Sequence, residues 1–206
     1  KNSTNEYIKK NPGTVDVYEA LGDLYRSKKM WLKAAENYII AVNKKKTLYE
    51  SDWKTFYSLG ISFERAKKWN KAEPNFKKAL ELKPDQPLVM NYLAYSWVDQ
   101  GKNLDAALDM IRKAVSLRPR DGYIVDSLGW AFYRLGDFDE AVKNLERAVM
   151  LEPEDAVINE HLGDAYWRVG RFKEAKYQWM RALEFGPEKE IIPKIKMRIE
   201  KGLNKI

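Results

Sequence analysis

Leu128-Gly129-Trp130-Ala131-Phe132 is one of five copies of a pattern that decides the fold. The others are Leu21-Gly22-Asp23-Leu24-Tyr25, Leu59-Gly60-Ile61-Ser62-Phe63, Leu93-Ala94-Tyr95-Ser96-Trp97 and Leu162-Gly163-Asp164-Ala165-Tyr166. From one leading leucine to the next the steps are 38, 34, 35 and 34 residues. A recurrence near this length, with a small residue after the leucine and an aromatic closing the motif, marks a helix–turn–helix array. Each unit of such an array packs on its neighbours and presents an extended surface that binds rather than catalyses.

Outward from each motif, a second set of residues repeats. The last unit continues with Ala175, Trp179, Ala182 and Pro187, and the one before it with Ala141, Leu145, Ala148 and Pro153. Upstream the sets are Ala107, Ile111, Ala114 and Pro119, then Ala72, Phe76, Ala79 and Pro84, then Ala34, Tyr38 and Ala41. The small residues have a steric task. The motif glycine and the first alanine let the two helices of a hairpin approach closely, and the last alanine lets the second helix meet the next unit. The large residues fill the space between. Proline ends the second helix, because it cannot continue without losing a hydrogen bond.

The turns agree. Gly101, Gly136 and Gly170 stand where each first helix must end in a left-handed cap. Asp137 with Glu140 reads as a capping box, and Asp85 and Asp155 as N-caps. Five departures make the N-terminal half the more irregular. Ala94 replaces the motif glycine, and one extra residue lies between Gly101 and Ala107. Lys29 and Lys67 stand where later units have glycine, and four extra residues fall in the stretch Thr47 to Asp52. Pro74 lies inside a second helix, which predicts a kink or a late helix start.

The pattern divides the chain into units at 15–46, 53–86, 87–121, 122–155 and 156–189. Residues Lys1 to Pro12 read as the last turns of a preceding unit. The chain opens on Lys1 rather than Met, which reads as a processed chain or a fragment. At the other end Ile192, Ile195, Ile199, Leu203 and Ile206 form one apolar helical face within a basic segment. Residues 190–206 therefore read as a capping helix that covers the last unit. A membrane-surface helix is the rival reading of that segment.

Composition excludes several classes. No apolar run approaches the length of a membrane span. Cysteine is absent, so there are no disulfides and no thiolate zinc sites. The formal charge of +7 is a mild excess, spread along second helices as Lys77-Lys78, Arg112-Lys113, Lys143 and Arg147. That is a solvated face rather than a nucleic-acid stripe. No phosphate loop, dinucleotide fingerprint or nucleophile elbow is present. His161, the sole histidine, with Asp164 and Glu160 is a poor metal set, and it reads as a surface or groove residue. These readings predict a chain that is no enzyme and needs no cofactor, metal or nucleic acid.

The repeated residues resemble the tetratricopeptide repeat pattern over about five units, from about Val15 to Pro187. The resemblance implies an all-α, right-handed superhelical solenoid of about five units plus the C-terminal capping helix. It also implies that first helices line a concave groove, through the residues two before, two after, and five and six after each leading leucine. The last three units then offer Asn91, Tyr95, Val98, Asp99, Asp126, Trp130, Tyr133, Arg134, Glu160, Asp164, Trp167 and Arg168. The first two offer Glu19, Asp23, Arg26, Ser27, Tyr57, Ile61, Glu64 and Arg65. With seven acids and four arginines, this lining carries −3 on a chain of +7. Trp, Tyr and Arg are the residue types enriched at binding hot spots. The expected partner is a peptide or helix of another protein. Tyr95, Trp130, Tyr133 and Trp167 would grip its apolar side chains, the acids would favour basic or amide groups, and Arg134 and Arg168 would anchor carbonyls or a carboxylate. On this expectation, truncating Trp130 and Trp167 leaves melting nearly intact.

Two specialised forms of the family do not fit. The Lys/Asn clamp for a C-terminal carboxylate is replaced by Glu19, Asp23 and Tyr92. The groove asparagine ladder is replaced by Ala20, Ser58, Tyr92, Ser127 and His161. The runs 91–97, 126–136 and 160–168 are similar to the C-terminal repeats of longer bacterial envelope and adaptor proteins, including adaptors of a periplasmic processing protease. That similarity implies a bacterial adaptor or scaffold of the periplasm or envelope, with the cytoplasm as the other location. The rival classes are a self-assembling scaffold, whose exposed aromatics pair between copies as a homo-oligomer, and an RNA-binding helical repeat.

Overall fold

The computed structural model describes residues 13–204, and among these every regular element is helical. The expected end of a preceding unit, at Lys1 to Pro12, and Ile206 lie outside the described residues. The chain divides between Val89 and Met90 into two compact units. The first holds two hairpins, α1 (Val15–Ser27) with α2 (Trp31–Lys44) and α3 (Trp53–Arg65) with α4 (Trp69–Leu82). The division falls within α5 (Pro87–Asp99), which precedes α6 (Leu104–Leu117). The second unit continues with α7 (Gly122–Leu135) and α8 (Phe138–Leu151), then α9 (Ala156–Arg168) and α10 (Phe172–Glu184), and ends on α11 (Ile192–Lys201).

A glycine-to-large-residue contact holds together each hairpin whose motif carries glycine, at Gly22, Gly60, Gly129 and Gly163. A Cβ built on Gly163 would sit 2.5 Å from Cδ1 of the Trp179 indole, on Gly129 2.6 Å from Cγ of Leu145, and on Gly60 2.6 Å from the Phe76 ring. Gly22 meets Tyr38 in the same way. The helix axes approach as far as they do because nothing projects from the first helix there. The large side chain takes that room and is removed from water. Trp179, Phe76 and Leu145 have no exposed surface, and neither do the alanines Ala72, Ala141 and Ala175. Burial of such a side chain contributes roughly 1.5–3 kcal/mol.

One backbone turn closes every hairpin. Gly101, Gly136 and Gly170 have φ of 65°, 86° and 82°. Lys29 and Lys67, at the same place, have φ of 57° and 60°. In each turn the next N–H returns to the carbonyl of the motif's aromatic: Met30 to Tyr25, Lys68 to Phe63, Lys102 to Trp97, Asp137 to Phe132 and Arg171 to Tyr166, all at 2.8–3.0 Å. The extra residue after Gly101 is absorbed by a second left-handed residue, Asn103 at φ 48°.

Helix starts follow the aspartates, with one correction. Asp155 accepts from the N–H groups of Val157 and Ile158, Asp137 from Glu140 and Asp121 from Ile124. The Glu140 carboxylate turns outward to Lys143 at 3.1 Å. Asp85 is not an N-cap residue. It has φ 60°, and α5 starts two residues later on Pro87, a residue suited to a first helical turn. Nor does Pro74 delay its helix: α4 begins at Trp69 and runs through it. The proline falls in the second turn and removes one bond, the one to Asn70, close to an end that is short of partners in any case.

The insertion between α2 and α3 is ordered by charge. It closes with a 3₁₀ turn, Glu50–Asp52. Lys45 Nζ bridges Asp52 at 2.5 Å and Glu19 at 2.8 Å, and the Thr55 hydroxyl donates to Glu19 at 2.7 Å. At the C-terminus α11 packs on α10 with Ile195 fully buried and Ile192 and Ile199 partly so, which turns its apolar face toward protein. The helix stops at Lys201, earlier than the apolar spacing suggests, because Gly202 turns the chain at φ 75°.

Two substitutions measured by urea unfolding test this account. Gly163→Ala, which drives a methyl into Trp179, is expected to destabilise by about 1–3 kcal/mol. Lys67→Gly relieves a left-handed lysine and is expected to stabilise by about 0.5–1 kcal/mol. A neutral Gly163→Ala would mean that the approach is not tight.

Candidate functional site

In the second unit the first helices α5, α7 and α9 share one face, and the expected site residues gather on it. Arg134 of α7 donates to the Asp99 carbonyl of α5 at 3.0 Å. Tyr95 lies within the fields of Asp126 and Glu160. Arg168 Nε of α9 donates to the Tyr133 hydroxyl of α7 at 3.1 Å. The structure therefore brings these residues together, but many are spent on one another.

Asp126 is buried, and so is His161. The His161 Nδ1 lies 2.9 and 3.1 Å from the two Asp126 oxygens. An ionised carboxylate only accepts, so Nδ1 carries the proton. The imidazole stacks on Trp130 at 4.1 Å between centroids, and Trp130 stacks on Tyr133 at 4.7 Å. Of the surface and groove positions expected for His161, the surface one does not hold: the ring is buried on the first-helix face, where it joins α9 to α7. Two further residues expected on the groove are core: Val98 has no exposed surface, and Ile61 of the first unit is buried.

Asp164 is buried as well, and its carboxylate accepts from Trp179 Nε1 at 2.9 Å and pairs with Arg198 at 3.2 Å. Arg198 also pairs with Glu160. Trp167 packs on Phe172 at 4.5 Å and on Trp179 at 5.5 Å, and Gly202 lies against its indole. Arg168 reaches past Tyr133 to donate to the Asn204 carbonyl at 2.7 Å. So Glu160, Asp164, Trp167 and Arg168 already have an occupant, the segment Arg198 to Asn204. Sequence reasoning missed Arg198, Gly202 and Asn204. Their signal was a lone arginine beside the Ile195 and Ile199 stripe and a glycine that breaks the stripe.

At the other end of the face, Asn91, Tyr95, Trp130 and Arg134 are half-buried. Among the described residues, Asn91 Oδ1 and Trp130 Nε1 are enclosed without a hydrogen-bond partner. An unmet buried group of this kind costs about 1–3 kcal/mol.

The face titrates. Burial raises the Asp164 carboxyl to about 6, against the pull of Arg198 and the Trp179 hydrogen bond. For His161 burial acts to lower the value, but the adjacent Asp126, with Glu160 and Asp164, outweighs it and the net shift is upward. Among the described residues no cluster of His, Asp and Glu suits a metal ion. None of their helices is long and apolar enough to cross a membrane.

A family model for the tetratricopeptide repeat matches residues 57–122 and 127–190. The chain belongs to the tetratricopeptide repeat family. A repeat-containing protein of Pseudomonas aeruginosa is 27% identical over 123 residues, which is 60% of this chain and 20% of that protein. The chain thus spans about a fifth of that relative's length. The solved pilF structure of Pseudomonas aeruginosa matches 91% of this chain and 83% of its own with a TM-score of 0.72 at 16% identity. A thermophilic repeat protein of Thermus thermophilus matches 92% and 98% with a TM-score of 0.71 at 21% identity. These likenesses show the repeat fold, and that fold is in general one of protein-interaction scaffolds.

Two measurements test the face. Trp130→Ala opens a hole under His161 and is expected to cost about 3 kcal/mol by urea unfolding, in contrast to the nearly intact melting suggested by a purely external tryptophan. The Asp164 and His161 shifts have the same sign. Each group holds its proton more tightly when folded, so each contribution is present at low pH and lost as pH rises, for Asp164 from 3.8 to about 6 and for His161 from 6.5 through its raised folded value. The melting temperature is therefore expected to fall as pH rises above 6.5, where the His161 contribution is lost after that of Asp164, and Asp126→Asn should flatten that slope. A melting temperature that rises over this interval would refute the assignment.

Proposed function

We propose that this chain is an adaptor or scaffold module and that the first-helix face of its second unit takes a peptide or helical segment of another protein. One observation carries the reading: a segment of the chain itself, Arg198 to Asn204, is seated across the first helix of the last hairpin by an ion pair, an indole contact and a main-chain hydrogen bond. A face that holds one such segment has the chemistry to hold others. Asn91, Tyr95, Trp130 and Arg134 continue the face toward α5 as half-buried side chains, a mixed aromatic and polar surface of the kind a peptide segment can lie on. Self-assembly is the competing reading, supported by exposed Tyr123, Met150 and Tyr177.

The test is affinity capture from source lysate with the intact chain and an Asn91→Arg, Arg134→Glu double variant, with light scattering over a concentration series. The variant should lose bound protein by about tenfold, which corresponds to about 1.4 kcal/mol, while its melting stays close to that of the parent. Equal capture by both would remove this face from the interaction. A mass that climbs with concentration would favour self-assembly.

A further inference from the structure

The last hairpin's seat and its occupant are joined by one buried isoleucine and a set of polar and main-chain contacts. α11 is ten residues long, below the length at which a helix holds itself in water. Ile195 is its fully buried residue, while Ile192, Ile199 and Leu203 are part-exposed and Met197 is 53% exposed. Beyond these partly buried apolar side chains the attachment is polar or steric. Arg198 reaches Glu160 and Asp164, Gly202 lies on Trp167, and Arg168 holds the Asn204 carbonyl. Segments with little buried apolar area open with a fraction of the global unfolding free energy. The seat, by contrast, stands on rigid parts: Asp164 is fixed by Trp179 and Trp167 by Trp179 and Phe172.

From this geometry we infer that the C-terminal segment is a displaceable resident ligand, and that the seat selects partner helices ending in Arg-x-x-x-Gly. The spacing comes from the occupant. Arg198 and Gly202 are four residues apart, so one helical turn separates the cation from the point where the chain must pass flat over an indole. Two carboxylates fix the arginine. The indole excludes a Cβ at the glycine position, since one built on Gly202 would strike Trp167. The glycine's φ of 75° enforces the same choice. Arg168 then reads the main chain two residues on, which adds affinity without demanding a side chain. A partner gains access by replacing the resident segment, so its apparent affinity is reduced by the small fraction of open seats.

This inference rests on the adaptor reading of the same face. Its probe is a fluorescein-labelled synthetic peptide copying residues 190–206, titrated against three full chains by anisotropy. The parent should bind weakly because its seat is filled. Gly202→Val, which cannot lie on Trp167, should bind at least about tenfold more tightly. Adding Glu160→Lys to Gly202→Val should abolish the gain. Equal binding by the parent and Gly202→Val overturns the inference, as does a gain that survives Glu160→Lys. If Gly202→Val does not fold, hydrogen exchange of the parent decides: amides of residues 195–204 should exchange by local opening, well ahead of α8, and exchange at the α8 rate overturns the inference. The two readings fail differently. If lysate capture is insensitive to the Asn91→Arg, Arg134→Glu variant, the adaptor role of the wider face falls while the peptide titration still reports on the seat. If the titration fails, the resident-ligand idea falls while lysate capture stands.

Discussion

The missing Cβ at Gly163 governs the geometry around it. Because the first helix offers no side chain there, the second helix can place the whole indole of Trp179 in the gap. That indole then serves two further purposes. Its Nε1 hydrogen-bonds Asp164, and its ring backs Trp167. Asp164 and Trp167 in turn receive Arg198 and Gly202. The C-terminal seat is therefore built outward from one absent methyl group, through a chain of contacts in which each residue is fixed by the one beneath it.

The same constraint explains why the face is polar yet mostly satisfied. Carboxylates on first helices sit between two neighbours, the second helix of their own hairpin and the first helix of the next. Asp126 is met by His161, Asp164 by Trp179 and Arg198, and Glu160 by Arg198. Burying such a group without a partner would cost several kcal/mol. Burial still leaves its mark in the raised Asp164 carboxyl. What the face presents outward is accordingly less acidic than a count of its residues suggests.

Much of the fold was legible because packing in a repeat protein is local. Motif spacing located the hairpins, and the glycine and alanine positions located their close contacts. The turns were legible at Gly136 and Gly170 but not at Lys29 and Lys67, where the closing hydrogen bond imposes a left-handed residue on a side chain that does not favour it. The site was less legible. Position along a helix tells which face a residue occupies, but not whether a neighbour has already taken it. Nothing in the spacing of His161 shows that Asp126, 35 residues earlier, would claim its ring. Trp167 and Arg168 were expected to line a groove, and the chain's own terminus lies over them because Gly202 redirects it.

The large residue that fills each glycine gap also differs from hairpin to hairpin. Tyr38 donates its hydroxyl proton to Asp23 at 2.7 Å, and Trp179 donates its ring N–H to Asp164 at 2.9 Å. Where the gap is filled by Phe76 or Leu145, the residue in the place of that aspartate is Ile61 or Trp130. Donor faces acceptor in the first and last hairpins, and apolar faces apolar between them. Repeats that look interchangeable on paper are thus keyed. A recombinant array that swapped a first helix from one hairpin onto the second helix of another would strand a carboxylate against a hydrocarbon, so these modules tolerate exchange as whole hairpins and resist it as halves.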